Sequence, residues 1–220
     1  MVTFEDVKKN EEVKVFIRRG DELLKAAGYT EHSYVHAGIV SATAARILKE
    51  IGRYTPREIE LARIAGYLHD IGNMVNRNDH AQSGAILAYQ LLKDMHMDVE
   101  EATLIASAVG NHDEGTGSAI SPVSAAIILA DKSDVRQSRV RRDFDRDFDI
   151  HDRVNSSVHK CEVLIDQTKN QICVDISIDT EVSSVMDFFE IFLGRMLMCK
   201  KSAEFFGMKL QIMGNGSKLL

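Results

Sequence analysis

The sequence has little of several features that mark particular protein classes. Its 220 residues include two prolines, no tryptophan and three cysteines. No apolar run approaches the ~20 residues that span a bilayer, which argues against a membrane protein. The cysteines, Cys161, Cys173 and Cys199, are odd in number and far apart, so neither a disulfide framework nor a zinc knuckle is expected. This usage favours a reducing compartment, and we expect a cytoplasmic protein.

The charge and composition exclude further classes. A net charge of -6 argues against general nucleic-acid binding and against attachment to a membrane surface. Apolar residues make up 45% of the chain and charged residues 27%, which is typical of a globular protein. A chain of 220 residues suffices for one sizeable core, or for one domain with a small appendage.

Hydrophobic spacings of three and four residues, together with the scarcity of proline, predict helices over most of the first 165 residues. Several of these helices begin at residues that cap helix N-termini, namely Thr30, Thr55, Asp98 and Ser121, and Asp79 or Asn78 is expected to cap the helix that starts at His80. The predicted segments are 3–27, which Gly20 can divide, 31–51, 55–69, 80–92, 98–110, 121–131 and a last helix that reaches about 164.

The pattern changes toward the C-terminal end. Residues 172–178 alternate between apolar and polar with period two, which predicts a strand, and 208–213 predict a second strand. Between them, 181–206 predict one long amphipathic helix that serves as core or as a homodimer interface. We therefore expect a mostly α fold, with a helical domain over 1–165 and a small α+β tail over 166–220 that contains two strands and one long helix.

Six His and Asp side chains fall where predicted helices start or end. They are His36, His69, Asp70, His80, His112 and Asp131. A helical bundle can bring such positions together in its core. Imidazole and carboxylate ligands suit Fe, Mn, Zn, Co or Ni better than Ca or Mg. Six ligands exceed one tetrahedral site, so we expect one or two ions, with Asp70 bridging a pair.

The segments that carry these residues resemble the HD-domain metal-dependent phosphohydrolase superfamily. The matching residues are His36, Val40 and Ala44, the run from Ala65 to Gly72, and the run from Ile128 to Asp131. His80 and His112 are similar to the two extra histidines of dinuclear members, which include hydrolases of symmetric dinucleoside tetraphosphates. The resemblance covers roughly residues 20–145.

The resemblance implies an HD-type helical bundle and a role for each ligand. One metal ion would be held by His36, His69, Asp70 and Asp131, and a second by His80 and His112 with Asp70 bridging. Metal-activated water would cleave a phosphate ester or anhydride of a small phosphorylated substrate, expected to be a nucleotide. His69, Asp70 and Asp131 would then be the catalytic residues.

Two departures from the family pattern affect the expected substrate. The branch that cleaves cyclic dinucleotides has a tandem His pair and a Gly-Tyr-Pro motif, whereas this chain has Asn111 before His112 and lacks that motif. Many members have Lys after the Gly of the His-Asp motif, where this chain has Asn73. Phosphate must then be bound by other cations, because charge-assisted hydrogen bonds to phosphate need them. The candidates for substrate binding are Lys132, Arg136, Arg77 and Arg139, with Asn73 beside them.

Other interpretations remain open from the sequence. The chain could be a metal-binding sensor or regulatory module, or a diiron redox enzyme on the same fold. His32 is interpreted as a half-exposed cap residue, with contact to the metal ligands as the alternative. The pair His151 and Asp152 is interpreted as a helix start capped by Asp149. The mixture of Arg and Asp over 139–147 is interpreted as a solvated ion-pair surface.

Overall fold

The computed structural model describes residues 1–141 and 150–220. The predicted ion-pair surface around Arg142 to Asp147 and the predicted cap at Asp149 lie outside these residues. Among the described residues, eight α-helices come first: α1 Phe4–Lys9, α2 Glu11–Ala26, α3 Tyr34–Ile51, α4 Pro56–Leu68, α5 His80–Asp94, α6 Val99–Gly110, α7 Pro122–Lys132 and α8 Ile150–Ser157. Then follow β1 Val158–Asp166, β2 Gln171–Ile178, α9 Val185–Phe205, β3 Lys209–Gly214 and β4 Ser217–Lys218. The fold is thus mostly α, with a small C-terminal α+β part, which confirms the predicted fold class.

The predicted helix starts are confirmed where a side chain satisfies the free N–H groups of the first turn. Thr55 and Glu58 form a capping box at the start of α4, and Ser121 begins α7 in the same way. The Asp98 side chain accepts hydrogen bonds from the N–H groups of Glu100 and Glu101 at the start of α6. These contacts are local, so the sequence alone predicts them well.

Three details of the helices differ from the prediction. The first helical segment divides at Asn10 rather than at Gly20, because the Asn10 side chain caps α2 by accepting from two backbone N–H groups. Helix α3 is capped by Ser33 rather than by Thr30. Asp79 precedes α5 but makes no side-chain cap hydrogen bond, and its backbone has a φ of 56°. In the first two cases a polar residue at another position caps the helix, and in the third the loop conformation leaves the Asp79 side chain without a cap hydrogen bond.

The C-terminal sheet is larger than predicted. Its strand order is β1-β2-β3-β4, and β1 pairs antiparallel with β2, β2 parallel with β3, and β3 antiparallel with β4. The prediction of helix up to Leu164 is wrong from Val158 onward, where β1 begins. Val158, Cys161 and Ile165 are spaced by three and four, which imitates a helical face, so pairing with β2 rather than local pattern decides this strand.

Helix α9 connects the sheet to the helical domain. It packs against β2, β3 and α7, and Phe188 and Phe192 on its first half are buried in the core. The parallel β2–β3 pair needs a long crossover, which α9 provides. Within the two described ranges, no helix is long and apolar enough to cross a membrane.

Candidate metal centre

Ends of five helices meet at one point in the domain and bring the six predicted ligands together. His36 lies in the first turn of α3, His69 and Asp70 follow α4, and His80 opens α5. The remaining two are His112, two residues after α6 ends, and Asp131, the penultimate residue of α7. The four imidazoles each expose 3% or less of their surface, so the cluster is almost entirely shielded from water.

Two glycines allow these elements to approach so closely. A Cβ atom on Gly66 would lie 2.9 Å from the Cα atom of Ser41, so only glycine lets α4 pack this tightly on α3. A Cβ atom on Gly72 would lie 2.0 Å from the carbonyl oxygen of His80. The turn after Asp70 can therefore rest directly on the start of α5, which brings Asp70 to His80.

Each of the four histidines is oriented by a hydrogen bond from its Nδ1 atom. His36 Nδ1 donates to Asp134 Oδ2 at 2.7 Å, and His69 Nδ1 donates to the Gly66 carbonyl oxygen at 2.8 Å. In the same way His80 and His112 donate to the carbonyl oxygens of Arg77 and Val109, at 3.0 and 2.6 Å. Because the three carbonyl oxygens and the ionised Asp134 carboxylate only accept, Nδ1 carries the hydrogen in each ring, and the Nε2 atom of a neutral ring presents a lone pair.

These Nε2 atoms point at one another in pairs. His36 Nε2 lies 3.2 Å from His69 Nε2, and His80 Nε2 lies 3.1 Å from His112 Nε2. Two lone pairs at this separation repel, and a cation shared between the two nitrogen atoms would relieve this repulsion. Buried imidazoles arranged in this way, with their Nδ1 atoms fixed by acceptors, fit a transition-metal site.

Asp70 lies between the two histidine pairs. Its Oδ2 atom is 3.5 Å from His36 Nε2 and 3.2 Å from His69 Nε2. Its Oδ1 atom is 3.4 Å from His80 Nε2 and 3.6 Å from His112 Nε2. One oxygen of the Asp70 carboxylate thus faces the first histidine pair and the other oxygen faces the second. This arrangement suits a carboxylate that bridges two ions.

Asp131 completes the first histidine pair. Its Oδ1 atom lies 3.4 Å from His36 Nε2 and 3.7 Å from His69 Nε2. Three sets of side chains have ligand atoms mutually within 4.8 Å: His36 with His69 and Asp70, His69 with His112 and Asp131, and Asp70 with His80 and His112. The described residues therefore hold His/Asp groups able to bind metal, and the mixed nitrogen and oxygen donors suit a transition metal.

Without a bound metal ion, the carboxylates of Asp70 and Asp131 favour the protonated form of His69. Burial opposes the charged form of His69, but Asp70 and Asp131 outweigh it and raise the pKa of His69 to about 10. Burial likewise opposes ionisation of Asp70, yet the imidazoles, His69 foremost, hold its pKa well below the usual range. Burial lowers the pKa of His80 to about 4. A proton and a metal ion therefore compete for His69, whereas His80 offers its lone pair at neutral pH.

Two of the predicted phosphate-binding cations lie directly beside the ligands. Lys132 Nζ is 2.7 Å from Asp131 Oδ2 and 3.2 Å from Glu114 Oε2. Burial opposes its charge, but these two carboxylates raise the pKa of Lys132 above its usual value. Arg77 Nη1 lies 4.0 Å from Asp70 Oδ1. Both side chains line the narrow cleft over the ligands.

The other three candidates have supporting positions. Asn73 is buried, donates to the Asp70 carbonyl oxygen at 3.0 Å and accepts from Arg77 at 3.3 Å, so it ties Arg77 to the turn. Arg139 lines the cleft but is buried, and it donates to the carbonyl oxygen of Asp134. Arg136 donates to Glu31 at 2.5 Å and approaches Asp134 Oδ1 at 3.4 Å. The positive charges of these two arginines lie close to Asp134, the carboxylate that orients His36.

Four further residues near the ligands carried little or no signal in the sequence. His32 is not a half-exposed cap: its side chain is 10% exposed, its Nδ1 donates to Thr30, and its Nε2 lies 4.0 Å from Asp70 Oδ2. Its position one helical turn before His36 was the available clue. Asp134, Glu114 and Arg195 were missed, and Arg195 on α9 is more than sixty residues from the nearest ligand in sequence.

Comparisons with known proteins agree with this geometry. Residues 34–136 match the HD domain family, and this range contains all six side chains of the cluster. The chain is 25% identical to the uncharacterized protein MJ1020 of Methanocaldococcus jannaschii over 182 residues, which cover 73% of this chain and 70% of that protein.

A solved structure also matches. It is described as a predicted HD superfamily hydrolase from an uncultured Thermotogales bacterium, with 24% identity and a TM-score of 0.44, and the match covers 57% of this chain and 67% of the other. The family match over residues 34–136, together with the buried His/Asp cluster inside that range, confirms the predicted resemblance to the HD-domain superfamily.

Proposed function

We propose that this protein is a metal-dependent phosphohydrolase that uses two transition-metal ions to cleave a phosphate ester or anhydride. The observation that carries the proposal is the position of Asp70, whose Oδ2 atom faces His36 and His69 while its Oδ1 atom faces His80 and His112. A carboxylate placed between two imidazole pairs is the ligand that a two-metal site requires. Such sites are typical of enzymes that cleave phosphate esters.

The six side chains divide into two ligand groups in this proposal. His36, His69, Asp131 and Asp70 would hold one ion, and His80 and His112 together with Asp70 would hold the other. Bound there, the ions supply Lewis acidity toward phosphoryl oxygens and lower the pKa of water. The donor set is compatible with Fe, Mn, Zn, Co or Ni.

The chain's own side chains have clear tasks around such a centre. Asp70 and Asp131 stay ionised, because His69 and Lys132 respectively lead the interactions that keep their pKa values well below the usual range. Both carboxylates can therefore bind metal and orient water by accepting its hydrogen bonds. Lys132 and Arg77 bring positive charge to the cleft, where it stabilises the negative charge that builds on phosphoryl oxygens.

The proposal is tested by metal content together with turnover. Protein stripped of metal is reloaded with each candidate ion and assayed against phosphomonoesters, cyclic nucleotides and dinucleoside polyphosphates. We expect about two ions per chain and hydrolysis of at least one of these phosphate classes. His69→Gln should lose both, whereas His159→Gln should lose neither, because His159 is a largely exposed residue of β1.

Three outcomes would contradict the proposal in whole or in part. Full activity of metal-free protein would exclude a metal mechanism. Bound metal without turnover of any phosphate would instead favour a sensor module or a diiron redox enzyme, the alternatives left open by the sequence. A single ion at saturation would restrict the site to the group around His36 and leave the second group to substrate binding.

A homodimer is a further part of the proposal. Met186, Leu193 and Leu197 on α9 expose 75%, 52% and 51% of their surface. These positions are spaced by seven and four, so they lie on one face of the helix. Sedimentation of the wild type and of Leu193→Glu tests this, and a monomeric wild-type protein would rule the dimer out.

A further inference from the structure

Arg195 is a cation of the metal-ligand cleft that lies outside the family match. The match covers residues 34–136, whereas Arg195 lies in the middle of α9. Its side chain nevertheless lines the narrow cleft over the metal ligands, together with Arg77, Lys132 and Arg139. The C-terminal part therefore contributes a positive charge to a cleft whose candidate ligands all come from the helical domain.

The packing of α9 fixes the place of this side chain. Helix α9 packs against α7, the helix that ends with Asp131 and Lys132. Phe192 lies one turn before Arg195 and is buried, and the guanidinium carbon of Arg195 lies 4.7 Å from the centroid of the Phe192 ring. Residues three apart on a helix are neighbours, and a cation over an aromatic ring is attracted to it. The buried ring therefore holds the guanidinium group at the cleft.

One carboxylate connects Arg195 with Lys132. Glu114 Oε1 lies 2.9 Å from Arg195 Nε, and Glu114 Oε2 lies 3.2 Å from Lys132 Nζ. Two oxygen atoms that are joined to a single carbon atom thus reach both cations. The oxygen atoms of a phosphoryl group are joined to a single phosphorus atom in a similar way, and charge-assisted hydrogen bonds form to either kind of anion. The spacing of the two cations therefore fits a phosphoryl group.

The terminal nitrogen atoms of Arg195 are available for a further acceptor. The ion pair with Glu114 uses Nε, and in the described part of the chain no acceptor receives a hydrogen bond from Nη1 or Nη2 of Arg195. Arg139 lines the same cleft but donates from Nε and Nη1 to backbone carbonyl oxygens. The Arg195 side chain is 29% exposed, whereas Arg139 is buried. Because a guanidinium group can donate paired hydrogen bonds to phosphate oxygens, Arg195 is better placed than Arg139 to bind phosphate.

The size of the cleft limits where a phosphoryl group can lie. The cleft has a volume of about 10 Å³, roughly that of one water molecule. It adjoins a larger cavity of about 460 Å³, and His32, Arg77 and Arg195 line both spaces. A substrate that extends from the cleft into the larger cavity therefore passes Arg195. Since the cleft itself has so little room, a phosphoryl group needs the position that the Glu114 carboxylate occupies.

We propose that Arg195 of α9 binds oxygen atoms of the substrate's phosphoryl group, and that this group replaces the Glu114 carboxylate between Arg195 and Lys132. The proposal rests on the phosphohydrolase activity proposed above and assigns a substrate-binding residue outside the matched range 34–136. It also gives the C-terminal part a role in the active site. The helical domain supplies the metal ligands, whereas α9 supplies a cation that contacts the substrate.

Inorganic phosphate is the probe, and calorimetry measures its binding to metal-loaded full-length protein without any turnover. Arg195→Gln should raise the dissociation constant of phosphate about tenfold, because charge-assisted hydrogen bonds are lost. Arg195→Lys should lie between the wild type and Arg195→Gln, because lysine keeps the charge but not the paired donors. Arg153→Gln is the matched control and should leave the constant unchanged, because Arg153 is an exposed residue of α8 that pairs with Asp187.

Metal content separates phosphate binding from a structural role of Arg195. Within the described residues, the charged and aromatic partners of Arg195 are Glu114 and Phe192, and neither is a candidate metal ligand. Arg195→Gln should therefore bind as many ions as the wild type while its affinity for phosphate falls. Loss of metal together with the loss of phosphate affinity would assign Arg195 a structural role and overturn the proposal.

Kinetics add a test that depends on the proposed activity. On every phosphate ester that the wild type hydrolyses, Arg195→Gln should lower kcat/KM by a similar factor, about tenfold, because Arg195 contacts the phosphoryl group and not the attached group. A loss confined to one attached group would overturn the proposal. If no ester is hydrolysed, the proposed activity fails, and weaker phosphate binding by Arg195→Gln would still support this site. Unchanged phosphate affinity in Arg195→Gln, or no phosphate binding by the wild type, would overturn it whether or not esters are hydrolysed.

Discussion

Gly72→Ala should disrupt the metal centre without touching a ligand. The added Cβ atom would lie 2.0 Å from the His80 carbonyl oxygen and 2.5 Å from the Gly84 nitrogen, whereas ordinary contacts begin at 3.4 Å. The distance from this Cβ atom to the carbonyl oxygen would be shorter than an ordinary contact by the difference between 3.4 and 2.0 Å, about 1.4 Å. Both obstacles are backbone atoms, so the turn and the start of α5 must separate. Asp70 then moves away from His80.

The size of the effect follows from this overlap. Overpacking of a close-packed interior costs about 1–3 kcal/mol, and a backbone obstacle on two sides places Gly72→Ala at the upper end, about 3 kcal/mol. For a chain of this size, each kcal/mol changes Tm by about 2–4 °C, so a decrease of about 6–12 °C is expected. Differential scanning calorimetry of the metal-free protein measures this decrease, and metal analysis should find fewer bound ions.

Gly38→Ala is the matched control. Gly38 lies in α3 two residues after His36, and a Cβ atom there would meet nothing within 4 Å. Alanine is favoured over glycine inside a helix by about 1 kcal/mol, so Tm should rise by about 2–4 °C with metal content unchanged. The deduced packing of the turn would be refuted if Gly72→Ala were as stable as the wild type and bound the same number of ions.

Three further predictions concern protonation, charge and the C-terminal core. Because Asp70 and Asp131 outweigh burial and raise the pKa of His69 to about 10, metal binding should release about one proton at pH 7–8, and affinity should rise about tenfold per pH unit in this range. Protonated His69 also stabilises the metal-free fold. This stabilisation is complete below the pKa of His69 in the unfolded chain, about 6.5, and it is lost as pH rises through the pKa in the folded protein, about 10. Calorimetry of metal binding in buffers of different ionisation enthalpy measures how many protons are released per ion. Release of no proton would contradict the raised pKa of His69. Glu114→Gln should lower the inhibition constant of inorganic phosphate severalfold, because Glu114 competes with phosphate for Lys132 and Arg195; an unchanged constant would exclude that competition. Phe188→Ala should destabilise the protein by about 3–5 kcal/mol in denaturant unfolding, because its ring is fully buried in the core and packs against Phe192, and a loss below about 1 kcal/mol would contradict this packing.

The helices and their ends were largely predictable from the sequence. Thr55 with Glu58, Asp98, and Ser121 act on backbone groups within four residues, so the signal and the structure are both local. The prediction was weaker where two polar residues compete, as Ser33 and Thr30 do before α3. There, the contacts of the loop with the rest of the fold decide which residue caps the helix.

The C-terminal sheet shows where local patterns are insufficient. The alternation in 172–178 predicted β2, because this strand has one buried face along its whole length. Strand β1 has no such alternation, and its apolar residues follow helical spacing. It forms because β2 offers it a hydrogen-bonding partner, which is a property of two segments and not of either one.

The sequence by itself determined the residue types of the candidate ligands and their places at helix ends, since His69, Asp70 and their partners are recognisable by residue type and spacing. Only the tertiary structure decided which oxygen of Asp70 faces which histidine pair, and that Arg195 of α9 reaches the same cleft as Arg77. The physical reason is distance along the chain. Helix propensity and capping act within one turn, whereas the directions of side chains that meet from five helices depend on how those helices pack.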